Sequence, residues 1–263
     1  MLYTTLGISR QAVHQHFIKE RALKDKQPHL VNEVRKLRHE HPRLSARKIY
    51  RMLKPDFMGR DKFESFCFSH GFKLYRKRSY HRTTDSRGVT RFNNLVGSRE
   101  LTGVNQVWVS DITYYRIGER FYYLTFIMDQ FSRSIVGYSA SKTLHAEGTT
   151  IRALSHALES RRTAKGLILH SDGGGQYYCK EFKNLTRIGK ILNSMGTCAY
   201  ENPYAERING TIKNDYLIHY RPTNFAELRS MLKRAVDNYN IRRPHSSLKE
   251  MSPLEFELNS TRK

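Results

Sequence analysis

The stretch NQVWVSDITYYRIGERFYYLTFIMDQFSRSIVGYSAS, residues 105–141, decides the fold class. Apolar and polar residues alternate with a period of two through QVWVSDITYY and again through FYYLTFIMD, which is typical of half-buried strands. The residues RIGER between them contain Gly118 and predict a hairpin loop. SIVGYSAS follows the turn DQFSR and predicts a third strand. The stretch therefore predicts three antiparallel strands in a meander.

The segments that follow alternate between helix and strand. Apolar residues at helical spacing predict helices over about 146–161 and 179–188. The apolar run GLILHSD and the short ILNS predict the strands that come after each helix. Asn202 followed by Pro203 is a favoured helix start, and a last long helix is predicted over about 224–241. The predicted fold is α/β, a five-stranded mixed sheet flanked by helices in the strand order of an RNase H-like fold, although this pattern alone leaves other mixed sheets open.

Positive charge is concentrated before the sheet. The chain has 46 Lys and Arg against 24 Asp and Glu, a net charge of +22, and residues 1–104 hold 23 of the basic residues and 9 of the acidic ones. A protein this basic needs a polyanionic partner, which is usually nucleic acid. The shift in composition predicts two domains: a helical, basic DNA-binding region over 1–104, and an α/β domain with a C-terminal helix over 105–263.

The first part of the chain reads as short helices. In LGISRQAVHQH, residues 6–16, Ser9 can cap a helix whose apolar face includes Val13 and Phe17. GISR before a helix is similar to the turn and second helix of a helix-turn-helix without its first helix, and an amphipathic packing helix is the alternative. Further helices are predicted over about 29–39, from Ser45 onward, and over about 60–70.

A basic and aromatic segment, KLYRKRSYHR, follows these helices at residues 73–82. Interleaved cations and rings suit phosphates and exposed bases, whereas the alternative is a solvated linker. With the net charge of the chain in view, DNA contact is the favoured interpretation. The predicted DNA-contacting residues are Lys73, Arg76, Lys77, Arg78 and Arg82.

Membrane and disulfide classes are excluded by the sequence. No run of 18 apolar residues exists, and the first ten residues lack an apolar signal region. The three cysteines are scattered and form no Cys-x-x-Cys pair. The expectation is a reduced, cytoplasmic, nucleoid-associated protein.

Three carboxylates stand where chemistry is expected. Asp111 lies in the first strand, Asp172 ends the fourth, and Glu206 lies in the first turns of the helix that begins near Asn202. Burying ionised carboxylates without a partner is unfavourable, and oxygen ligands suit hard divalent cations such as Mg²⁺ or Mn²⁺. Two such ions could stabilise both sides of a phosphodiester displacement. Lys213 follows Glu206 by seven residues, two turns along one helix face.

Four blocks of this sequence resemble those of a known family. WVSDITYY, HSDGGGQY and NPYAERINGTIKNDYL are similar to the three catalytic blocks of DDE transposases and retroviral-type integrases, and YNIRRPHSSLKEMSPLEF is similar to the ending of IS-three-type insertion-sequence transposases, the product of their second reading frame. The blocks occur in order, with 60 residues between Asp111 and Asp172 and 33 between Asp172 and Glu206.

The resemblance implies an enzyme that cleaves transposon ends and transfers the strands into target DNA. It implies that Asp111, Asp172 and Glu206 are the catalytic residues and bind two Mg²⁺ (or Mn²⁺) ions, and that Lys213 contacts transposon-end DNA. Its neighbours Arg207 and Asn209 are further candidates for DNA contact. The implied partners are transposon-end and target DNA, further copies of the chain assembled on DNA, and the product of an upstream reading frame.

Two alternatives remain open. A DNA-binding regulator that has lost catalysis would keep the positive charge and bind DNA without nicking it. An RNase H-like nuclease would share the predicted fold and cleave RNA–DNA hybrids.

Overall fold

The computed structural model describes residues 9–74, 92–97, 99–161, 166–196 and 202–260, apart from the side chains of residues 19, 22 and 23. It divides into two compact units, Met1–Lys77 and Arg78–Lys263. The second unit therefore begins before the change of composition near residue 104. Leu95 shows why, because its backbone N–H donates to the Ser194 hydroxyl at 2.9 Å and so ties this part of the chain to the sheet.

The first unit contains three helices, α1 (Arg10–Glu40), α2 (Ala46–Leu53) and α3 (Arg60–Ser69). Ser9 and Ser45 cap α1 and α2 as the sequence predicted, each accepting a backbone N–H three residues on. The helices pack around one small apolar core. Its buried members are Leu30, Val34, Leu44, Ala46, Ile49, Phe63, Phe66 and Cys67.

One prediction for this unit was wrong. The separate helix expected over about 29–39 is the second half of α1, which runs without a break across Pro28. The residues before Pro28 are mostly strong helix formers such as Lys, Glu, Ala and Gln. Their helix propensity favours a continuous helix despite the proline. The apolar face expected to pack near the start of α1 is open, since Phe17 is 61% exposed. Residues 1–8, which carry the rest of the helix-turn-helix prediction, lie outside the described residues.

The second unit is built on a five-stranded mixed sheet, as predicted. Its strands are β1 (Val107–Ile117), β2 (Arg120–Asp129), β3 (Ile135–Ser141), β4 (Ile168–Ser171) and β5 (Leu192–Met195). Their order across the sheet is β3-β2-β1-β4-β5. The meander β1–β2–β3 is antiparallel, whereas β4 pairs parallel with β1 and with β5. The parallel pairing follows from the helices that connect β3, β4 and β5.

Helices cover both faces of this sheet. On one face lie α4 (Arg152–Ser160), which continues a π-helical turn over Glu147–Ile151, and α5 (Lys180–Ile188). On the other face lie α6 (Pro203–Gly210), a π-helical segment (Thr211–Leu217), α7 (Ile218–Tyr220) and α8 (Phe225–Ile241). Alternate residues of β1 supply the two cores: Trp108 packs with the α4 and α5 side, and Val107 and Val109 with the α6 and α8 side.

A helix that the sequence did not specify, α9 (Pro253–Ser260), fastens the end of the chain to the β2–β3 turn. Glu257 forms an ion pair with Arg161 at 2.8 Å and accepts the Ser132 hydroxyl at 2.6 Å. Asp129 shapes the same turn, because its buried carboxylate accepts the backbone N–H groups of Asn105 and Ser132 at 2.6 and 3.0 Å. Asp129 therefore holds together the turn DQFSR that the sequence predicts.

Candidate active site

The first two predicted acids lie level on neighbouring segments, Asp111 within β1 and Asp172 directly after the last residue of β4. Val109 of β1 pairs with His170 of β4 in parallel register. Asp111 and Asp172 each lie two residues beyond that pair, so both project to the same face at the carboxyl end of β4. Val109 belongs to the core beneath α6, which places the acids on the face that α6 covers. The two strands therefore bring together acids that are 61 positions apart in the sequence.

Asp111 is the most perturbed acid in this arrangement. Its pKa rises from the ordinary 3.8 to about 7, chiefly because burial removes water from the carboxylate and secondly because Asp172 is negative. Lys213 opposes the rise, and Glu206 adds a smaller increase. All three acids and Lys213 therefore lie within one electrostatic neighbourhood.

A glycine turn wraps the Asp172 carboxylate. Burial raises the pKa of Asp172, and the backbone N–H of Gly174, which donates to its Oδ1 at 3.1 Å, acts in the opposite direction. A Cβ at Gly174 would come within 3.1 Å of that same oxygen. Gly174 therefore lets the backbone fold closely around the carboxylate.

Helix α6 begins at Pro203 as predicted, but Asn202 does not cap it. The Asn202 side chain makes no capping hydrogen bond and donates instead to the carbonyl oxygen of Ser110 on β1, at 2.9 Å. This bond ties the start of α6 to the strand residue that precedes Asp111. Glu206 then lies one turn into the helix with an exposed side chain, and Arg207 beside it is exposed as well.

The predicted DNA-contacting residues Asn209 and Lys213 point toward β1. Asn209 is buried and its amide donates to Oδ2 of Asp111 at 2.7 Å. The Lys213 ammonium donates to the Thr113 hydroxyl at 2.7 Å and lies 5.5 Å from the centroid of the Tyr114 ring. Burial lowers the pKa of Lys213. Both residues thus support the strand that carries Asp111, and DNA contact by them stays a prediction.

The donor set suits a divalent cation, although it is not fully assembled. In the described residues, no three acidic, histidine or cysteine side chains lie close enough to hold one metal ion as they stand. Asp111 nevertheless presents a desolvated carboxylate, and Oδ1 of Asn209 is buried without a hydrogen-bond partner. Oxygen donors of this kind are those that Mg²⁺ prefers. The chemistry of the aspartate pair therefore fits a cation, and the exposed Glu206 is a third acid whose charge is felt at Asp111.

The basic segment before the sheet is mostly outside the described residues. Arg76, Lys77, Arg78 and Arg82 fall in that part, so their predicted DNA contact stays a prediction. Lys73 is described in the first unit, where its exposed ammonium lies 5.8 Å from the centroid of the Phe68 ring.

Some supporting residues escaped sequence reasoning. The Tyr177 hydroxyl hydrogen-bonds to the buried Ser110 hydroxyl at 2.9 Å, beneath the strand position of Asp111. The Arg133 guanidinium lies 4.0 Å from the centroid of the Tyr204 ring, in the first turn of α6. Thr113, which receives Lys213, could have been found because it lies two residues after Asp111 on the same strand face. The other contacts join distant segments and leave no local pattern.

Comparisons with known proteins identify the family of this chain. Residues 102–199 and 190–253 match the family described as the integrase core domain. An insertion element IS600 uncharacterized 31 kDa protein of Shigella sonnei is 32% identical over 95% of this chain and 95% of its own length. The putative transposase InsK of insertion sequence IS150 from Escherichia coli is 29% identical over 70% of this chain and 64% of its own. The transposase InsF of insertion sequence IS3 from E. coli is 30% identical over 59% of this chain and 55% of its own length.

The chain belongs to the insertion-sequence transposases with an integrase core. Solved structures agree on the fold of this transposase family. The integrase catalytic core domain of HTLV-2 in complex with magnesium, in a trimeric form, aligns with 60% of the chain and 99% of its own at a TM-score of 0.50 and 23% identity. A chain from the structure of a simian T-cell lymphotropic virus intasome in complex with PP2A regulatory subunit B56 gamma aligns with 60% of this chain and 57% of its own length, at a TM-score of 0.51 and 21% identity.

The described helices of this transposase family member include none that combines the length and the apolar character needed to cross a membrane.

Proposed function

We propose that Asp111, Asp172 and Glu206 are the catalytic residues of a transposase that cleaves transposon ends and transfers them into target DNA with two Mg²⁺ or Mn²⁺ ions. The observation that carries this proposal is the level placement of Asp111 and Asp172, each two residues beyond the paired Val109 and His170 of the parallel strands β1 and β4. The desolvated state of Asp111 supports it, because such a carboxylate gains most from a cation. Membership of the transposase family supports the reaction class.

When bound, divalent cations supply Lewis-acid polarisation of the phosphodiester and stabilise charge on the attacking and leaving oxygens. The Asp111 and Asp172 carboxylates would hold them, and Asn209 orients Asp111 through its 2.7 Å hydrogen bond. The proposal requires the exposed Glu206 carboxylate to approach the aspartates in the loaded enzyme. Lys213 exchanges its bond to Thr113 for a phosphate of the transposon end.

The proposed reaction also defines the partners. Transposon-end and target DNA match the net charge of +22, and the basic segment with Lys73 would add phosphate contacts. Action on two ends calls for more than one copy of the chain on the DNA. Cooperation with the product of an upstream reading frame, and a cytoplasmic, nucleoid-associated location, follow from the same proposal.

The decisive experiment replaces one acid without changing its shape. Asp172→Asn keeps the hydrogen bond from Gly174 but removes the charge that binds cations. We expect it to abolish Mg²⁺-dependent cleavage of a labelled transposon end while duplex binding persists. Asp237→Asn is the matched control, since the Asp237 side chain is 48% exposed on α8 and forms an ion pair with Lys233 of the same helix at 2.8 Å.

Unchanged cleavage by Asp172→Asn would refute the assignment. Two other outcomes would redirect it: binding without any Mg²⁺- or Mn²⁺-dependent nicking would identify a DNA-binding regulator, and preferential cleavage of RNA–DNA hybrids over duplex DNA would identify an RNase H-like nuclease.

A further inference from the structure

Helix α5 carries a row of cations along one side. Lys180, Lys183 and Arg187 are all exposed, and at about 100° per residue they fall within an arc of about 60° around the helix. Lys190 is exposed as well and follows directly after the helix end at Gly189. These four residues, Lys180, Lys183, Arg187 and Lys190, are named the α5 stripe.

The α5 stripe is not neutralised by acids. In the part of the chain that the structure describes, no carboxylate forms an ion pair with any of its members, and Arg187 donates to the neutral amide oxygen of Asn184. Glu181, on the same helix, lies about 130° around the axis from the centre of the row. On α8, by contrast, Lys233 pairs with Asp237 at 2.8 Å. An unpaired row of cations is the kind of surface that binds a polyanion.

The topology places one end of the α5 stripe near Asp111 and Asp172. The side of the sheet at the carboxyl end of β4, where these two acids lie, is named the catalytic edge. Strands β4 and β5 are parallel, so α5, which connects them, runs back along the sheet. Its first residue, Lys180, therefore lies at the same edge as Asp172, and its last turn lies toward the opposite edge. The helix packs inward through Phe182 and Thr186, which leaves the stripe outside. From Lys180 to Arg187 the row extends about 10 Å at 1.5 Å per residue.

The α5 stripe and Lys213 approach that edge from opposite faces of the sheet. Phe182 of α5 belongs to the core on one face, and Ile212, next to Lys213, belongs to the core on the other. Strand transfer requires two DNA molecules at one set of acids. Two cationic elements on opposite faces provide separate paths for them.

We infer that the α5 stripe binds the phosphate backbone of the target duplex beside the catalytic edge. This inference rests on the proposed function and gives the protein a second DNA-binding surface. Contacts to phosphates carry no base-sequence information, so the stripe suits a target duplex better than recognition of a defined transposon end. The long lysine and arginine side chains can follow a strand that carries one phosphate for each 3.4 Å or about that length of the duplex axis.

The test is charge reversal in the full chain. Lys183→Glu combined with Arg187→Glu should lower transfer of a pre-cleaved transposon end into plasmid DNA by at least tenfold, with cleavage of the end within twofold of the parent. The control variant, Arg229→Glu combined with Lys249→Glu, changes the net charge equally at exposed positions away from α5. It should leave both reactions within twofold.

A binding measurement tests the same inference without catalysis. Fluorescence anisotropy with a duplex of arbitrary sequence gives the slope of log affinity against log salt, which changes by about 0.9 for each phosphate contact. The stripe variant should flatten this slope by about 2, and Lys183→Gln with Arg187→Gln should flatten it similarly. The control variant should retain the parent slope.

Equal slopes for stripe and control variants would overturn the inference, and so would equal loss of cleavage and transfer, which would assign the stripe to the transposon end. If the parent protein catalyses neither reaction, the proposed function fails, while the binding slopes still decide whether the α5 stripe is a DNA surface. Thermal melting of each variant confirms that the fold is retained.

Discussion

At the scale of single residues, Asn209 has an unusual position among the site residues. Its amide nitrogen donates to Asp111, while its amide oxygen is buried without a partner in the described residues. Residues that orient metal ligands in this way fix the carboxylate before the cation arrives. In the proposed mechanism, Asn209 therefore acts on the reaction through Asp111.

Asn209→Ala removes the side-chain amide that donates to the Asp111 carboxylate at 2.7 Å. We expect the rate of Mg²⁺-dependent end cleavage to fall about 10–100-fold, as is usual for groups that hold a metal ligand in place. The measurement is single-turnover cleavage of a labelled end. Asn214→Ala, at an exposed position further along the same helical run, is the control and should remain near the parent rate. Parent-like cleavage by Asn209→Ala would show that Asp111 needs no such support.

The raised pKa of Asp111 gives a second prediction, on stability. Between pH 3.8 and about 7 the folded protein binds this proton and the unfolded chain does not, so the contribution of Asp111 to stability falls as pH rises through that window. Asp111→Asn imitates the protonated acid at every pH. In metal-free buffer, its melting temperature should exceed that of the parent by a margin that grows from pH 4 to pH 7. A margin independent of pH would contradict the assignment of the raised pKa.

At the scale of helices and strands, the π-helical segment Thr211–Leu217 decides where Lys213 points. In a regular α-helix, Lys213 would lie almost directly below Glu206, two turns away. The wider turns of the π-helix change this angle, and Lys213 reaches Thr113 of β1 while Glu206 stays exposed. Such π-helical turns are often found at functional sites.

The packing of β3 against α4 gives a third prediction. A Cβ on Gly137 would lie 2.3 Å from the carbonyl oxygen of Ala153 and 2.8 Å from Cβ of Ala157, so the strand and helix would have to separate. Gly137→Ala should destabilise the protein by about 3 kcal/mol. Gly175→Ala is the matched control, because a Cβ there meets no atom within 4 Å. Urea unfolding of both variants measures the difference, and similar midpoints would refute the close contact.

At the scale of the whole molecule, charge governs the interaction with DNA. The net charge is +22, and residues 1–104 contribute the larger share. Phosphate contacts release counterions, so affinity depends steeply on salt. This dependence sets the conditions under which any base preference of the chain can be measured.

Duplex affinity should therefore fall about 10³–10⁵-fold between 50 and 200 mM salt if about 6–10 phosphates are contacted. Fluorescence anisotropy across this range, with duplexes of two unrelated sequences, measures the slope. Both duplexes should give similar slopes, because the phosphate term does not depend on base sequence. A nearly flat dependence would show that the positive charge does not face DNA.

Much of this protein follows from the sequence alone. The period-two alternation in residues 105–141 specifies three strands locally, and the composition specifies a nucleic-acid partner class. The acids Asp111 and Asp172 could be selected because each belongs to a predicted apolar strand, where burying a carboxylate without a partner is unfavourable. Local periodicity and the chemistry of single residues are sufficient for such inferences.

Tertiary structure alone decided the rest. The bonds from Asn209 to Asp111 and from Asn202 to Ser110 join residues 98 and 92 positions apart, and no local pattern predicts them. The continuity of α1 across Pro28 also departed from the sequence expectation. The physical reason is that hydrogen-bond partners and side-chain exposure depend on which distant segments pack together. Sequence periodicity reports only how each segment divides between core and solvent.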